Sequence, residues 1–239
     1  MFYGQEEFNI RFEWGLDGVE TLIESSDVII IIDSLSFSTS IEIAVSQGAM
    51  VFPYNGDLKK INTYASKVHA TPVNQKRSLD HLSLPPASLK NLPSGTRLIL
   101  PSLNGSILSA MTNKLPTLTA CFRNASAVAR AAQQIGKKIC VIAAGEKWNN
   151  GNIRFAVEDL IGAGALISQL NGKKSPEAIS CQNAYHPLVH DLHHFLSQCS
   201  SGKELIEAGF SQGVYLAAAL NCSQKAPILI NGAYQVFPD

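Results

Sequence analysis

Charge is scarce in this 239-residue chain, and neither sign prevails. Charged side chains make up 16% of it, against about 25% in an average globular domain. Lys plus Arg and Asp plus Glu each number 19, giving a formal net charge of +0. With no basic excess to hold phosphate backbones or anionic lipid headgroups, neither a nucleic acid nor a membrane is expected as a partner. The strongest apolar run, Val28 to Ile32, is far too short to cross a bilayer. Close cysteine pairs are also missing. Cys121, Cys140, Cys181, Cys199 and Cys222 are odd in number and form no Cys-x-x-Cys, so reduced thiols are expected rather than a disulfide framework. The first eleven residues carry Glu6, Glu7 and Arg11 and lack the apolar core of a signal peptide. These features predict a cytoplasmic protein.

What is present is a chain of 25.7 kDa that is 46% hydrophobic, large enough to bury about 70% of its unfolded surface. No linker divides it, so one domain over 1–239 is expected, with an irregular excursion at 55–95. The run 27–32 reads as a strand buried on both faces. A helix is predicted after it, with Thr39 as N-cap, Glu42 completing a capping box and Gly48 as its stop. Further strands are predicted at 49–54, 96–100, 118–121 and 138–143. Asn124 is read as the cap of an alanine-rich helix ending at Gly136. A long helix is predicted over 154–170, where Gly162 and Gly164 imply a close neighbour. Helical patterns around 183–196, 203–208 and 213–220 precede an apolar stretch at 228–230. This alternation predicts a single three-layer α/β/α domain with a mostly parallel or mixed sheet.

In such sheets ligands collect beyond the carboxyl ends of the strands. Asp33, Asn104, Cys121 with Arg123, and Glu146 all follow predicted strands. With Ser38, Thr39, Ser106 and Asn124 near helix starts, they predict a rim suited to an anionic substrate. Arg123 offers the planar fork that fits a phosphate, sulfonate or carboxylate. The carboxylates Asp33 and Glu146 suit a hard cation such as Mg²⁺. Cys121 is read as a packing thiol, because only Phe122 separates it from Arg123 and no loop of amides could form between them. His186, His190 and His194 have the spacing of one helix face; we read them as a polar face rather than a zinc site.

Several motifs occur in series. They include Asp27-Val28-Ile29-Ile30-Ile31-Ile32-Asp33-Ser34-Leu35-Ser36-Phe37-Ser38-Thr39-Ser40, Leu100-Pro101-Ser102-Leu103-Asn104-Gly105-Ser106 and Cys121-Phe122-Arg123-Asn124-Ala125. Val141-Ile142-Ala143-Ala144-Gly145-Glu146 and Arg154-Phe155-Ala156-Val157-Glu158-Asp159 follow. The series, from about Asp27 to Gly232, resembles the 2-phosphosulfolactate phosphatase family. The resemblance implies a Mg²⁺-dependent hydrolase that releases phosphate from 2-phosphosulfolactate or a related phosphorylated 2-hydroxy acid. It also implies site roles for Gly105, Cys121, Arg154, Glu158 and Asp159, with Asp159 joining Asp33 and Glu146 as a metal ligand. The chain departs from the family where an arginine is common (Ser36) and where an acid is common (Gly213). The family's glycine-rich acidic loop is not evident in 71–89.

Two schemes follow from these residues. In one, Asp33 and Glu146 hold the ion while Arg123 and Asn104 neutralise the transferring phosphoryl group. In the other, Asp33 attacks phosphorus itself. The alternative to either is a diverged, non-catalytic anion-binding protein on the same scaffold. The low charged fraction also points to a self-association surface, and so to a homo-oligomer.

Overall fold

A computed structural model describes residues 2–112 and 115–238; Met1, Asn113, Lys114 and Asp239 lie outside the described residues. The strands are β1 (Ile10–Trp14), β2 (Val28–Ile32), β3 (Met50–Tyr54), β4 (Thr71–Pro72), β5 (Arg97–Pro101), β6 (Thr117–Ala120), β7 (Ile139–Ala143), β8 (Glu146–Lys147), β9 (Ile153–Arg154), β10 (Pro227–Ile230) and β11 (Ala233–Val236). The helices are α1 (Gly15–Leu22), α2 (Phe37–Ser46), α3 (Ile61–Val68), α4 (Gly105–Met111), α5 (Ala125–Ile135), α6 (Val157–Ile167), α7 (Pro176–Tyr185), α8 (Leu192–Gln198), α9 (Ser200–Glu207) and α10 (Ser211–Ala217). No helix among the described residues is long and apolar enough to cross a membrane.

Nine strands form one sheet in the order β1-β7-β2-β6-β10-β11-β3-β5-β4. The block β1-β7-β2-β6 is parallel throughout, as is β3-β5-β4. Between them lies the hairpin β10–β11, antiparallel internally and to both flanking strands. Those three reversals make the two blocks run in opposite senses. The sheet is therefore mixed, and its middle is built from the end of the chain.

Helices cover both faces, which gives the three layers. Along β2 the side chains alternate: Val28, Ile30 and Ile32 pack with Val128, Ile161 and Cys181 of α5, α6 and α7. Ile29 and Ile31 pack on the other face with Val19, Leu22 and Leu108 of α1 and α4. In the second block, Ile41, Ala44 and Val45 of α2 cover Val51, Leu98 and Tyr234, while Ile61 of α3 meets Phe52 and Ile99 on the opposite face.

The glycines of α6 have the close neighbours expected of them. A Cβ on Gly162 would stand 2.5 Å from Ser34 Oγ, and one on Gly164 would stand 2.2 Å from the Cys181 carbonyl oxygen.

Three local expectations are corrected. The 154–170 helix spans only Val157–Ile167, and Arg154 sits on β9. The 183–196 helix is broken: α7 ends at Tyr185, a 3-10 turn covers His186–Leu188 and α8 begins at Leu192. Pro187, which has no N–H to donate, lies in that break, so His186, His190 and His194 share no continuous helix face. The Thr39 capping box is absent because α2 opens at Phe37; Thr39 Oγ1 donates instead to the Ser34 carbonyl (2.8 Å). The excursion is tied down against α2, Ser40 Oγ donating to the Leu84 carbonyl (2.6 Å) and Gln47 Nε2 to the Leu89 carbonyl (2.7 Å).

Candidate functional site

The chain leaves β2 at Asp33 and turns sharply into α2. The turn is locked reciprocally: Asp33 N–H donates to Ser38 Oγ (2.9 Å), and Ser38 N–H donates to the Asp33 carbonyl (2.8 Å). Ser38 Oγ also shares a 2.7 Å hydrogen bond with Thr119 Oγ1 of β6. These contacts fix the Asp33 backbone. The Asp33 carboxylate accepts the Gly105 N–H at 3.0 Å, which draws the start of α4 to β2. Gly105 is required there, since a Cβ would fall 2.1 Å from Phe37 Cδ1. The neighbouring Asn104 donates its side-chain amide to Glu146 Oε2 (3.1 Å).

Asp159, in the first turn of α6, joins the loops that follow β2 and β7. One of its carboxylate oxygens accepts Ser34 N–H (2.8 Å) and the other accepts Gly145 N–H (3.0 Å). Gly145 has φ +66, a conformation open to glycine at little cost. Glu158, also buried, adds a fourth acid beside Asp33, Glu146 and Asp159.

Crowding acids out of water disfavours their ionised forms. Burial, then the charge of Glu146, pushes Asp33 up to about 7, against the pull of the Gly105 and Phe37 amides and of Arg77. Glu146 is also raised, first by burial; the Asn104 hydrogen bond opposes the shift and Glu158 adds to it. Asp159 lies well above the usual range through burial and the charges of Asp33 and Glu158.

Among the described residues, no three His, Cys, Asp or Glu side chains converge as a metal-binding group. What is present is a pair of hard oxygen donors, Asp33 and Glu146, whose mutual repulsion a divalent cation would relieve. Mg²⁺ characteristically takes one or two carboxylates and keeps its remaining positions for water and phosphate, so this donor pair fits it. Asp159 is brought to the cluster, but both of its oxygens already serve backbone amides.

The structure thus gathers Asp33, Asn104, Gly105, Glu146, Glu158 and Asp159. Arg123 is not joined to them: its guanidinium pairs with the fully buried Glu42 of α2 and donates to the Leu216 carbonyl (3.1 Å). Ser38, Thr39, Ser106 and Asn124 are buried and spend their polar atoms within the fold. Ser106 Oγ donates to the Leu100 carbonyl (3.0 Å), and Asn124 Oδ1 accepts Cys121 N–H (2.9 Å). Arg154 lies opposite Glu146 in the β8–β9 ribbon and reaches Ser201 Oγ (3.5 Å) and Glu204 (3.8 Å). Cys121 is enclosed, and burial lifts its thiol to about 12, which leaves it neutral at ordinary pH.

Asn104 and Glu146 border a cleft of about 680 Å³ that runs between Trp14, Lys147 and Asn152. Asp33, 7% exposed, does not line it.

One residue that sequence reasoning passes over is Arg77. It reaches Ser36 Oγ (3.2 Å) from the excursion, and the charges of Asp33 and Glu146 raise its pKa against the lowering effect of burial. No spacing or motif in the stretch around it would have singled it out.

Comparison with known proteins gives a consistent picture. The sequence model described as 2-phosphosulpholactate phosphatase matches residues 17–232. The chain is 26% identical over 221 residues to the 2-phosphosulfolactate phosphatase of Methanothermobacter thermautotrophicus, covering 90% of this chain and 92% of that one. It is 25% identical over 211 residues to a protein of Gloeobacter violaceus described as a probable 2-phosphosulfolactate phosphatase, covering 84% and 87%. A similarly described protein of Thermotoga petrophila is 26% identical over 210 residues, covering 86% and 90%.

Proposed function

Because the chain belongs to the 2-phosphosulpholactate phosphatase family, we propose that it is a phosphoric monoester hydrolase acting on 2-phosphosulfolactate or a related phosphorylated 2-hydroxy acid. The observation that carries this reading is the junction of three distant segments. Gly105 N–H bonds to Asp33 and the Asn104 amide bonds to Glu146, so that two acids share one site at the end of β2 and β7.

Asp33 and Glu146 would hold Mg²⁺ in the working enzyme. Bound there, the ion would neutralise charge on phosphoryl oxygens as a Lewis acid. The chain's own residues set the stage for that chemistry. Asn104 fixes the orientation of Glu146 by donating to one of its oxygens, leaving the other free. The Gly105 amide likewise orients Asp33 by donating to its carboxylate. Asp159 holds the Ser34 and Gly145 backbones in register, so the loops that carry Asp33 and Glu146 stay together. Preorganisation of this kind removes the reorganisation cost at the moment of reaction.

Phosphate release from a panel of 2-phospho-hydroxyacids including 2-phosphosulfolactate, with and without Mg²⁺, tests the proposal. Saturable, Mg²⁺-dependent turnover is expected. Tight binding of the same compounds without release would overturn it in favour of a non-catalytic anion-binding protein. Cys121→Ser is expected to leave turnover unchanged, since a neutral, enclosed thiol can neither attack phosphorus nor bind the substrate; loss of activity in a folded Cys121→Ser protein would contradict this.

A further inference from the structure

We propose that Arg77 is the anion anchor of the site: its guanidinium, brought by the excursion to Ser36, in the turn that follows Asp33, binds the phosphoryl oxygens of the substrate beside Asp33 and Glu146. The inference rests on the phosphatase reading and adds to it the group that would recognise the phosphate.

Three observations support it. The first is that Arg77 has capacity left over. A guanidinium has five N–H donors, and among the described residues that of Arg77 makes one hydrogen bond, to Ser36 Oγ at 3.2 Å. It forms no ion pair among the described residues, where the ion pairs are Arg123 with Glu42 and Arg154 with Glu204. Arg123 is therefore committed to the buried Glu42, and Arg154 meets the exposed Glu204 only at 3.8 Å, whereas Arg77 has no carboxylate within ion-pair distance among the described residues.

The second is its setting. Arg77 is half-buried, and this partial loss of water lowers its pKa while the charges of Asp33 and Glu146 raise it. A cation held near two acids without touching either is placed to share an anionic ligand with whatever those acids hold. A planar guanidinium can grip two phosphoryl oxygens in parallel.

The third is that its loop is built, not loose. Asn74 N–H donates to the Leu82 carbonyl (2.7 Å). Ser78 and Ser83 exchange hydrogen bonds of 3.0 and 2.6 Å, and Ser83 and Ser88 exchange bonds of 3.1 and 2.9 Å. Ser83 is fully buried. A segment with this many internal bonds presents Arg77 at a lower ordering cost than a free loop would.

Titration of inorganic phosphate in magnesium-containing buffer, followed by calorimetry or phosphorus NMR, tests the assignment without requiring turnover. Arg77→Ala is expected to weaken phosphate about ten- to a hundredfold, as loss of a charge-assisted contact would, with Arg77→Lys intermediate. Should Arg77→Ala fail to fold, Arg77→Met, which keeps the aliphatic stem and removes the charged fork, gives the same comparison. Equal affinity in wild type and variant, or no phosphate binding by the wild type, overturns the assignment. The two readings fail separately. Arg77-dependent phosphate binding by a protein that hydrolyses no member of the panel would sink the phosphatase and keep the anchor. Turnover with phosphate affinity unmoved in Arg77→Ala would do the reverse.

Discussion

Asp33→Asn is expected to lower turnover by roughly 10²–10⁴-fold and, in magnesium-free buffer at pH 8, to make the protein more stable. Both effects come from one cause. The Asp33 carboxylate is buried next to Glu146, and its pKa rises to about 7, against about 3.9 in an unfolded chain. Between those values the folded protein holds a proton that the unfolded chain has released. Folding stability therefore falls as pH rises through that window, and above pH 7 the full cost of a buried charge is present. Asparagine keeps the shape and the acceptor for Gly105 N–H but carries no charge. The gain at pH 8 should be on the order of 1–4 kcal/mol, the upper figure being the whole shift at about 1.4 kcal/mol per unit.

Thermal melts from pH 4 to pH 8 check this. The melting temperature of Asp33→Asn minus that of the wild type should grow with pH and level off near pH 8. Added Mg²⁺ should then close the gap by stabilising the wild type alone, because a ligand that binds only the folded state stabilises it by mass action. A pH-independent difference would show that the acid cluster does not strain the fold. Near-normal turnover in the variant would remove Asp33 from both the metal-ligand and the nucleophile schemes.

How far the sequence reveals this arrangement depends on the element. Strand β2 is legible because all five of its residues are apolar, and every one is 0% exposed in the fold. Strand β1 is not, because Arg11 and Glu13 lie within it. The Arg11 guanidinium is nonetheless fully buried, donating to Ser25 Oγ (2.6 Å), the Ser25 carbonyl (2.8 Å) and Ser26 Oγ (2.8 Å). A charge whose terminal nitrogens find their partners 14 and 15 residues away looks like a surface residue in a one-dimensional pattern. The hairpin β10–β11 is a different case. Asn231 and Gly232 take φ +52 and +80, and Asn-Gly between apolar runs is a strong hairpin signal. The strand reading stops at Ile230 without using it.

That hairpin decides the topology on which the site depends. It reverses the sense of β3, β5 and β4, so the common rim expected of a parallel sheet does not by itself bring Asn104 to Asp33. Five strand-to-strand steps separate β2 from β5, and at roughly 20–25° each the sheet turns through about 100–125°. The loop after β5 meets β2 across this twist, through the Gly105 bond to Asp33. The residue types at the site were readable one by one. Their meeting depends on a strand order that no local pattern encodes, and Arg77 arrives from a segment with no periodicity at all.

Arg123 is the opposite case, a residue whose chemistry suits the site and whose guanidinium pairs with Glu42 of α2. We expect Arg123→Ala to cost about 3–5 kcal/mol, the usual penalty for stripping the partner from a buried ion. In a chain of this size that lowers the melting temperature by on the order of 10 °C. The reason is Glu42, which has 0% exposure and whose carboxylate is held by Arg123 and by Ser46 Oγ (2.6 Å). Arg123 also ties three segments together: its side chain reaches α2 and the Leu216 carbonyl (3.1 Å), and its own carbonyl accepts Ser223 N–H (2.9 Å). Replacing both charges, as in Glu42→Gln with Arg123→Met, should recover most of the loss, because the cost lies in leaving one charge alone and not in the absence of a pair. Assayed below its melting temperature, this double variant should hydrolyse the substrate at close to the wild-type kcat/KM. A guanidinium that gripped the phosphoryl group would instead show its absence as a loss of roughly 10²-fold or more, with stability restored and activity not.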